Sequence, residues 1–332
     1  MAKLVAAYGS SHSVMLTAAE EDWRNGFKTA DKTNPWLFDK EGNKTNYEGL
    51  LAKASKDNRQ DVSPEAMSAR WREAQAAMDH MRDLITDAPI DVLIICGDDQ
   101  HELFKMTNMP AIAIYYGDTI LNAKRKITPD MGWYKFAQAQ RQEAEADVNW
   151  PVDSKLATWL IRKLSDRDFD IAALNGIEPG KCEGHAISFI HHRYMTKRKI
   201  PVVPILLNTF DPPNQPTPAR CIKLGAALRQ LIEEYPEDIR VGILASGGLS
   251  HFVVDEQLDN AVIDGIRRHD YSFLASIEPK LLQAGSSEIR NWILVAEAAR
   301  DFDLDWVKYV PGYRTEAETG TGLCFAQWKR RA

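Results

Sequence analysis

The chain has 332 residues, 44% of them hydrophobic, yet no apolar run approaches about 18 residues, which excludes a membrane-spanning helix of ordinary length. A formal net charge of −6, with Lys and Arg scattered rather than striped, excludes a nucleic-acid partner and leaves a small molecule as the expected ligand. No charged-then-apolar leader follows Met1, so the expected address is cytoplasmic; without a Gly/Ser/Pro linker or internal repeat, the expected organisation is one domain, 1–332.

Leu4 to Ala7 reads as the first strand, and the small residues of "YGSSHS" behind it carry His12. Pro64 to Thr86 is a predicted amphipathic helix: Met67, Trp71, Ala74, Met78, Met81 and Ile85 step by three or four, with Ser63 as cap and Pro64 in the first turn. Val92 to Cys96 is the second strand and opens into "GDDQHE". Ala111 to Tyr115, Ile171 to Leu174, Val202 to Leu207 and Val241 to Ala245 complete a set of short apolar runs that fit strands buried on both faces. Thr217 and Pro218 open a further helix. The alternation predicts an α/β fold with a largely parallel central sheet flanked by helices. In such sheets ligands gather beyond the carboxyl ends of the strands, and there the sequence places His12, the "GDDQHE" acids, Asn208 and His251.

Each candidate has a plain structural alternative. His12 and His251 could be satisfied loop histidines, although the glycines of "SGGLSH" favour a tight pocket around His251. Glu288, in "GSSEIRNWILVAEAARD", lies four residues before Trp292 on the inward face of a helix that the serines are expected to cap; a buried carboxylate there calls for a cation, or complements the helix dipole. His185 opens another helix. His80, His191, His192 and His269 read as solvated or partly packed. Cys96, Cys182, Cys221 and Cys324 form no C-x-x-C pair and are expected to be reduced thiols. His101 and Glu102 form no H-E-x-x-H motif, because residue 105 is Lys, and there is no G-x-S-x-G elbow.

Taken together, "SSHS", "NTFDPPNQPTPARC", "YPEDIRV", "SGGLSHF" and "SSEIRNW" resemble the class III extradiol ring-cleavage dioxygenases, the superfamily of the protocatechuate 4,5-dioxygenase catalytic subunit. "GDDQ" and "PPNQPTP" look most like the 3-O-methylgallate dioxygenase branch. The resemblance implies a mononuclear non-haem Fe(II) held by two His and one carboxylate, and extradiol cleavage of a catechol-type aromatic acid (3-O-methylgallate, gallate or protocatechuate-like) with dioxygen. It makes His12 and Glu288 metal ligands, His251 the acid/base residue and His185 an outer hydrogen-bond donor. The second histidine ligand of the family falls on Gln100 in a gapless alignment through "DVLIIC"; the alternative is that the loop bends and His101 supplies the nitrogen.

The substrate acid group is expected to meet Arg314, Thr319 or Thr321 of "PGYRTEAETGTG", with Asn208 also near the substrate. Residues 20–62, rich in aromatics, are an insertion expected to cover the active site in place of the family's separate small subunit, within a homodimer. Two rival readings keep the same fold: a metal-poor binding or signalling relative, and a zinc-dependent hydrolase.

Overall fold

The computed structural model describes residues 1–54 and 61–331; residues 55–60 of the expected insertion lie outside the described residues. The strands are β1 (Lys3–Ser10), β2 (Val92–Asp98), β3 (Ile112–Tyr115), β4 (Thr119–Asn122), β5 (Val148–Pro151), β6 (Ala172–Leu174), β7 (Val202–Leu207), β8 (Arg240–Ser246), β9 (His251–Val253), β10 (Phe302–Tyr313) and β11 (Thr319–Arg330). The main sheet runs in the order β10-β11-β1-β8-β2-β7-β3-β6, with β9 added to β11, while β4 and β5 pair separately. β1, β8, β2 and β7 are mutually parallel and form the centre; β10, β11 and β9 extend it antiparallel on one side.

The central strands are apolar throughout because both faces are covered. Along β2, Val92, Ile94 and Cys96 point into one core, with helices Pro218–Glu234 and Ile289–Ala298, while Leu93 and Ile95 point into the other, against helices Pro64–Asp87 and His185–Tyr194. Helix Pro64–Asp87 starts as expected: Ser63 Oγ accepts from the Ala66 amide, and the helix ends one residue before Ala88-Pro89, whose proline disfavours a further helical residue. Helix Pro218–Glu234 is capped in the same way by Thr217.

All six expected strands are present, and β7 has the expected bounds. The long β10–β11 hairpin was not among them: in β10 the side chains alternate with charged residues such as Asp303, Asp305 and Lys308, and in β11 the apolar run Leu323–Ala326 is short and preceded by the glycines at 320 and 322. All four cysteines are free thiols, and no helix among the described residues is long and apolar enough to cross a membrane.

Parallel pairing puts the carboxyl ends of the central strands on one edge: Ser10 is level with Ser246, and Asp98 with Leu207. Arg290, only 1% exposed, ties the loops beyond that edge together. Its Nε donates to Pro216 O at 2.8 Å, and its Nη1 reaches Leu282 O at 3.0 Å, Ser287 O at 3.3 Å and Thr209 O at 3.4 Å. Removing it leaves several buried carbonyls without a donor, so Arg290→Ala should lower the unfolding free energy by about 3 kcal/mol in urea titrations; a loss below about 1 kcal/mol would show that the loops hold without it.

Candidate metal centre

Four chain segments meet at the sheet edge. His12 follows β1 and is 2% exposed. Its Nδ1 lies 2.9 Å from Ser246 Oγ, at the end of β8, and that hydroxyl donates to Ala186 O at 2.7 Å. A serine hydroxyl has one proton, and here it goes to the carbonyl; the oxygen must therefore accept from His12 Nδ1–H, which leaves the lone pair on Nε2. Nε2 is buried without a hydrogen-bond partner, 3.4 Å from Glu288 Oε1 and 3.7 Å from Asp98 Oδ1.

Glu288 sits where the short 3-10 turn Ala284–Glu288 runs into helix Ile289–Ala298. Its Oε2 accepts from the Gly248 amide at 2.6 Å, and its Oε1 faces both His12 and His251 Nε2, the latter at 3.3 Å. A side chain at position 247 would crowd this carboxylate, because a Cβ there meets Glu288 Cβ at 2.8 Å. The serines expected to cap the helix hold the loops instead: Ser286 bonds to both the amide and the carbonyl of His251, and Ser287 donates to Thr209. His251 is packed still more closely, since a Cβ on Gly285 would overlap its ring at 1.8 Å. Its Nδ1 donates to Leu249 O at 2.8 Å, so Nε2 is the nitrogen turned toward Glu288.

Asp98, at the end of β2, completes the floor. His12, Asp98, His185 and Glu288 each offer one ligand atom, all within 4.8 Å of one another. Burial, then the charge of Glu288, pushes the Asp98 carboxyl up. For Glu288, burial acts upward but the His12 and His251 imidazoles prevail and hold it well below the usual carboxylate range. Burial also draws His12 down to about 4, favouring the neutral ring. A neutral imidazole with an unpartnered Nε2, beside an orphaned carboxylate oxygen, is a donor set suited to a divalent metal.

Gln100 reaches the site in a different part. Its Nε2 lies 3.0 Å from Asp98 Oδ2 and 3.4 Å from Glu288 Oε1; both neighbours are carboxylates, so the amide presents its N–H groups to them and braces the acids. His101 is turned away: its backbone is left-handed, at φ 69°, and its Nε2 bonds to Asp211 at 2.8 Å, with the side chain 48% exposed. The bend considered for His101 therefore does not bring its ring to the cluster. Asp98, one of the acids that the sequence places beyond the second strand but to which it assigns no role, lies on the same face as Gln100 by period-two alternation.

His185 opens helix His185–Tyr194 as expected, with its ring centroid 4.5 Å from that of His12. Glu102, to which the sequence assigns no role, holds it through Nδ1 at 2.7 Å and its amide at 3.0 Å. Burial would lower the His185 pKa, but Glu102 and Asp98 outweigh it and raise the ring to about 9, while Glu102, pushed up by burial, is pulled down to about 2 by the His185 charge.

Above the cluster opens a cavity of about 550 Å³ lined by His12, Gln100, Glu102, His185, His251 and Glu288, by Phe27, Asp31 and Trp36 of the insertion, and by Tyr134, Arg141 and Arg314. Arg314 is buried, stacked on Phe27, with Nε 2.8 Å from Asp31. Asn208, Thr319 and Thr321 are not among its lining residues. Asn208 folds its own loop through Asp211 and Asn214, Thr319 donates to Asp31, and Thr321 pairs across the sheet with His251.

Because the His185 pKa lies above its ordinary 6.5 and that of Glu102 below its ordinary 4.5, the pair stabilises the fold fully between about pH 4.5 and 6.5, losing that contribution as pH rises through about 9 or falls through about 2. Glu102→Gln should bring the His185 midpoint down by about one unit or more in an imidazole NMR titration of the metal-free protein; an unchanged midpoint would remove Glu102 as the cause.

The profile of the family described as the catalytic LigB subunit of aromatic ring-opening dioxygenase matches residues 64–308. Gallate dioxygenase of Pseudomonas putida is 48% identical over 58 residues, 18% of this chain and 17% of that protein. The 2,3-dihydroxyphenylpropionate/2,3-dihydroxicinnamic acid 1,2-dioxygenase of Comamonas testosteroni is 33% identical over 100 residues, 30% of each chain. The aligned stretches thus span less than a third of either relative.

Proposed function

Since the chain belongs to the family of catalytic LigB subunits of aromatic ring-opening dioxygenases, we propose that it opens the ring of a catechol-type aromatic acid by extradiol cleavage with dioxygen, using Fe(II). The observation that carries this reading is the convergence on Glu288 Oε1: His12 Nε2 at 3.4 Å and His251 Nε2 at 3.3 Å, at the floor of a cavity of about 550 Å³. The names of the two relatives, which refer to gallate and to dihydroxyphenylpropionate, support a substrate of the same chemical kind.

The unpartnered His12 Nε2 and Asp98 Oδ1 fit a metal ion. His12, Glu288 and Asp98 would hold it, with Gln100 as their brace and His185 beside them. When bound, the metal supplies the Lewis-acid and electron-transfer chemistry that joins ring and dioxygen.

The chain's own groups do the rest. His251 takes a proton from a ring hydroxyl at Nε2, because its Nδ1–H is committed to Leu249 O. The imidazole so charged sits against the Glu288 carboxylate, which favours the protonated ring; burial alone would oppose it. His185, held cationic by Glu102, offers an N–H toward the cluster. Residues 20–62 act as a cover that keeps water from the ring, a role supported by Phe27, Asp31 and Trp36 in the cavity wall and by the Arg314–Asp31 ion pair that ties this segment down.

Two measurements test the reading. Protein loaded anaerobically with Fe(II) should consume one dioxygen for each ring opened when offered protocatechuate, gallate, 3-O-methylgallate or 2,3-dihydroxyphenylpropionate. Bound metal without oxygen uptake on any of them would overturn the ring-opening reading; failure to retain metal would favour a binding protein, and retention of zinc with hydrolysis a hydrolase. In metal titrations of the purified protein, Asp98→Ala should abolish stoichiometric binding, whereas Gln100→Ala should weaken it about tenfold, the effect of losing an outer partner. The reverse order would return Gln100 to the ligand position.

A further inference from the structure

Two arginines line the cavity, and their electrostatic situations differ. Arg314, although its Nη2 is buried without a hydrogen-bond partner, has its charge answered by Asp31 at 2.8 Å. Arg141 has no such partner: among the described residues no carboxylate comes within 4.0 Å of its guanidinium. Its side chain makes one hydrogen bond, from Nη2 to the backbone carbonyl of His12 at 2.9 Å, and its Nε is buried without any partner. Arg141 is only partly buried: its Nε is shut off from solvent, while the rest of the fork faces the cavity, where an anion could answer its charge.

The position of Arg141 adds a second constraint. It follows helix Trp133–Ala139, and Tyr134 and Gln138 of that helix line the same cavity. The backbone oxygen it holds belongs to His12, whose imidazole faces Glu288 and Asp98. Arg141 shares the wall of the about 550 Å³ cavity with His12, His251 and Glu288, so a ring whose hydroxyls meet the cluster lies in the same space as its guanidinium.

We propose that Arg141 binds the acid group of the aromatic substrate and so selects carboxylated rings over their neutral counterparts. The planar fork of a guanidinium matches a carboxylate, and the unanswered charge makes Arg141 the cation in the cavity that gains most from one. Arg314, already neutralised, serves as wall and anchor for the insertion. The assignment takes the identity of the ring from the ring-opening reading, whereas acid recognition itself can be measured without turnover.

The test compares matched pairs that differ by one carboxylate, protocatechuate with catechol and gallate with pyrogallol, bound to Fe(II)-loaded protein under nitrogen and followed by calorimetry. Wild-type protein should bind each acid more tightly than its neutral partner. Arg141→Gln should weaken the acids roughly 10- to 100-fold while changing catechol and pyrogallol less than about threefold, and Arg141→Lys should fall between. Unchanged neutral-ring binding also reports that the variant is folded. Equal losses for acids and neutral rings would overturn the proposal, because they mean that Arg141 only offsets the negative charge of Asp98 and Glu288. No loss for either, or no preference for acids in the wild type, overturns it as well. Admitting air to the same samples tests ring opening separately: acid-selective binding without oxygen uptake keeps the role of Arg141 and rejects the ring-opening reading.

Discussion

Everything at the sheet edge depends on how one carboxylate is divided. Glu288 gives one oxygen to a backbone amide, that of Gly248, and this bond fixes the other oxygen between two imidazoles from different strands. The arrangement needs glycine at 247 for close approach, glycine at 285 to admit the His251 ring, and Arg290 to hold the loops that carry the turn. None of these is itself a chemical group of the site. Each keeps Oε1 where His12 and His251 can both reach it.

The electrostatics of the cluster follow from that geometry. Two acids share a buried space, and their environments drive them apart: Glu288 is held ionised with the His251 imidazole and the Gly248 amide against it, while Asp98 is pushed toward its protonated form by burial and by Glu288. A divalent cation relieves the conflict, since it lets both acids ionise beside a neutral His12. Positive charge is placed around this floor, on His185 backed by Glu102 and on Arg141. The cavity thus joins an anionic floor to cationic walls, an arrangement suited to a ligand carrying hydroxyls at one end and an acid at the other.

The fold was legible wherever both faces of a strand are buried, because continuous apolar runs such as Val202–Leu207 follow directly from double covering. Glu288 was legible as an inward carboxylate from helical periodicity, and His12, His185 and His251 from their places beyond strands or at a helix start. What escaped the sequence was whatever depends on tertiary meeting. Arg141 touches His12 across 129 residues, and nothing near either residue announces it. His191, expected to be solvated or partly packed, is fully buried because Trp150 stacks on it and Glu183 holds its Nδ1. The second strand's loop shows the limit most clearly: attention to imidazole drew the reading to Gln100 and His101, whereas a left-handed residue turns His101 outward and the period of the strand delivers Asp98.

The central claim is that His12, Asp98 and Glu288 hold one metal ion between them. Anomalous diffraction at the iron edge, on crystals grown and loaded with Fe(II) without oxygen, tests it most directly. The account predicts a single strong peak roughly 2.0–2.3 Å from His12 Nε2, Glu288 Oε1 and Asp98 Oδ1. A peak bound by His101, or one that leaves Asp98 out of its coordination, would contradict it.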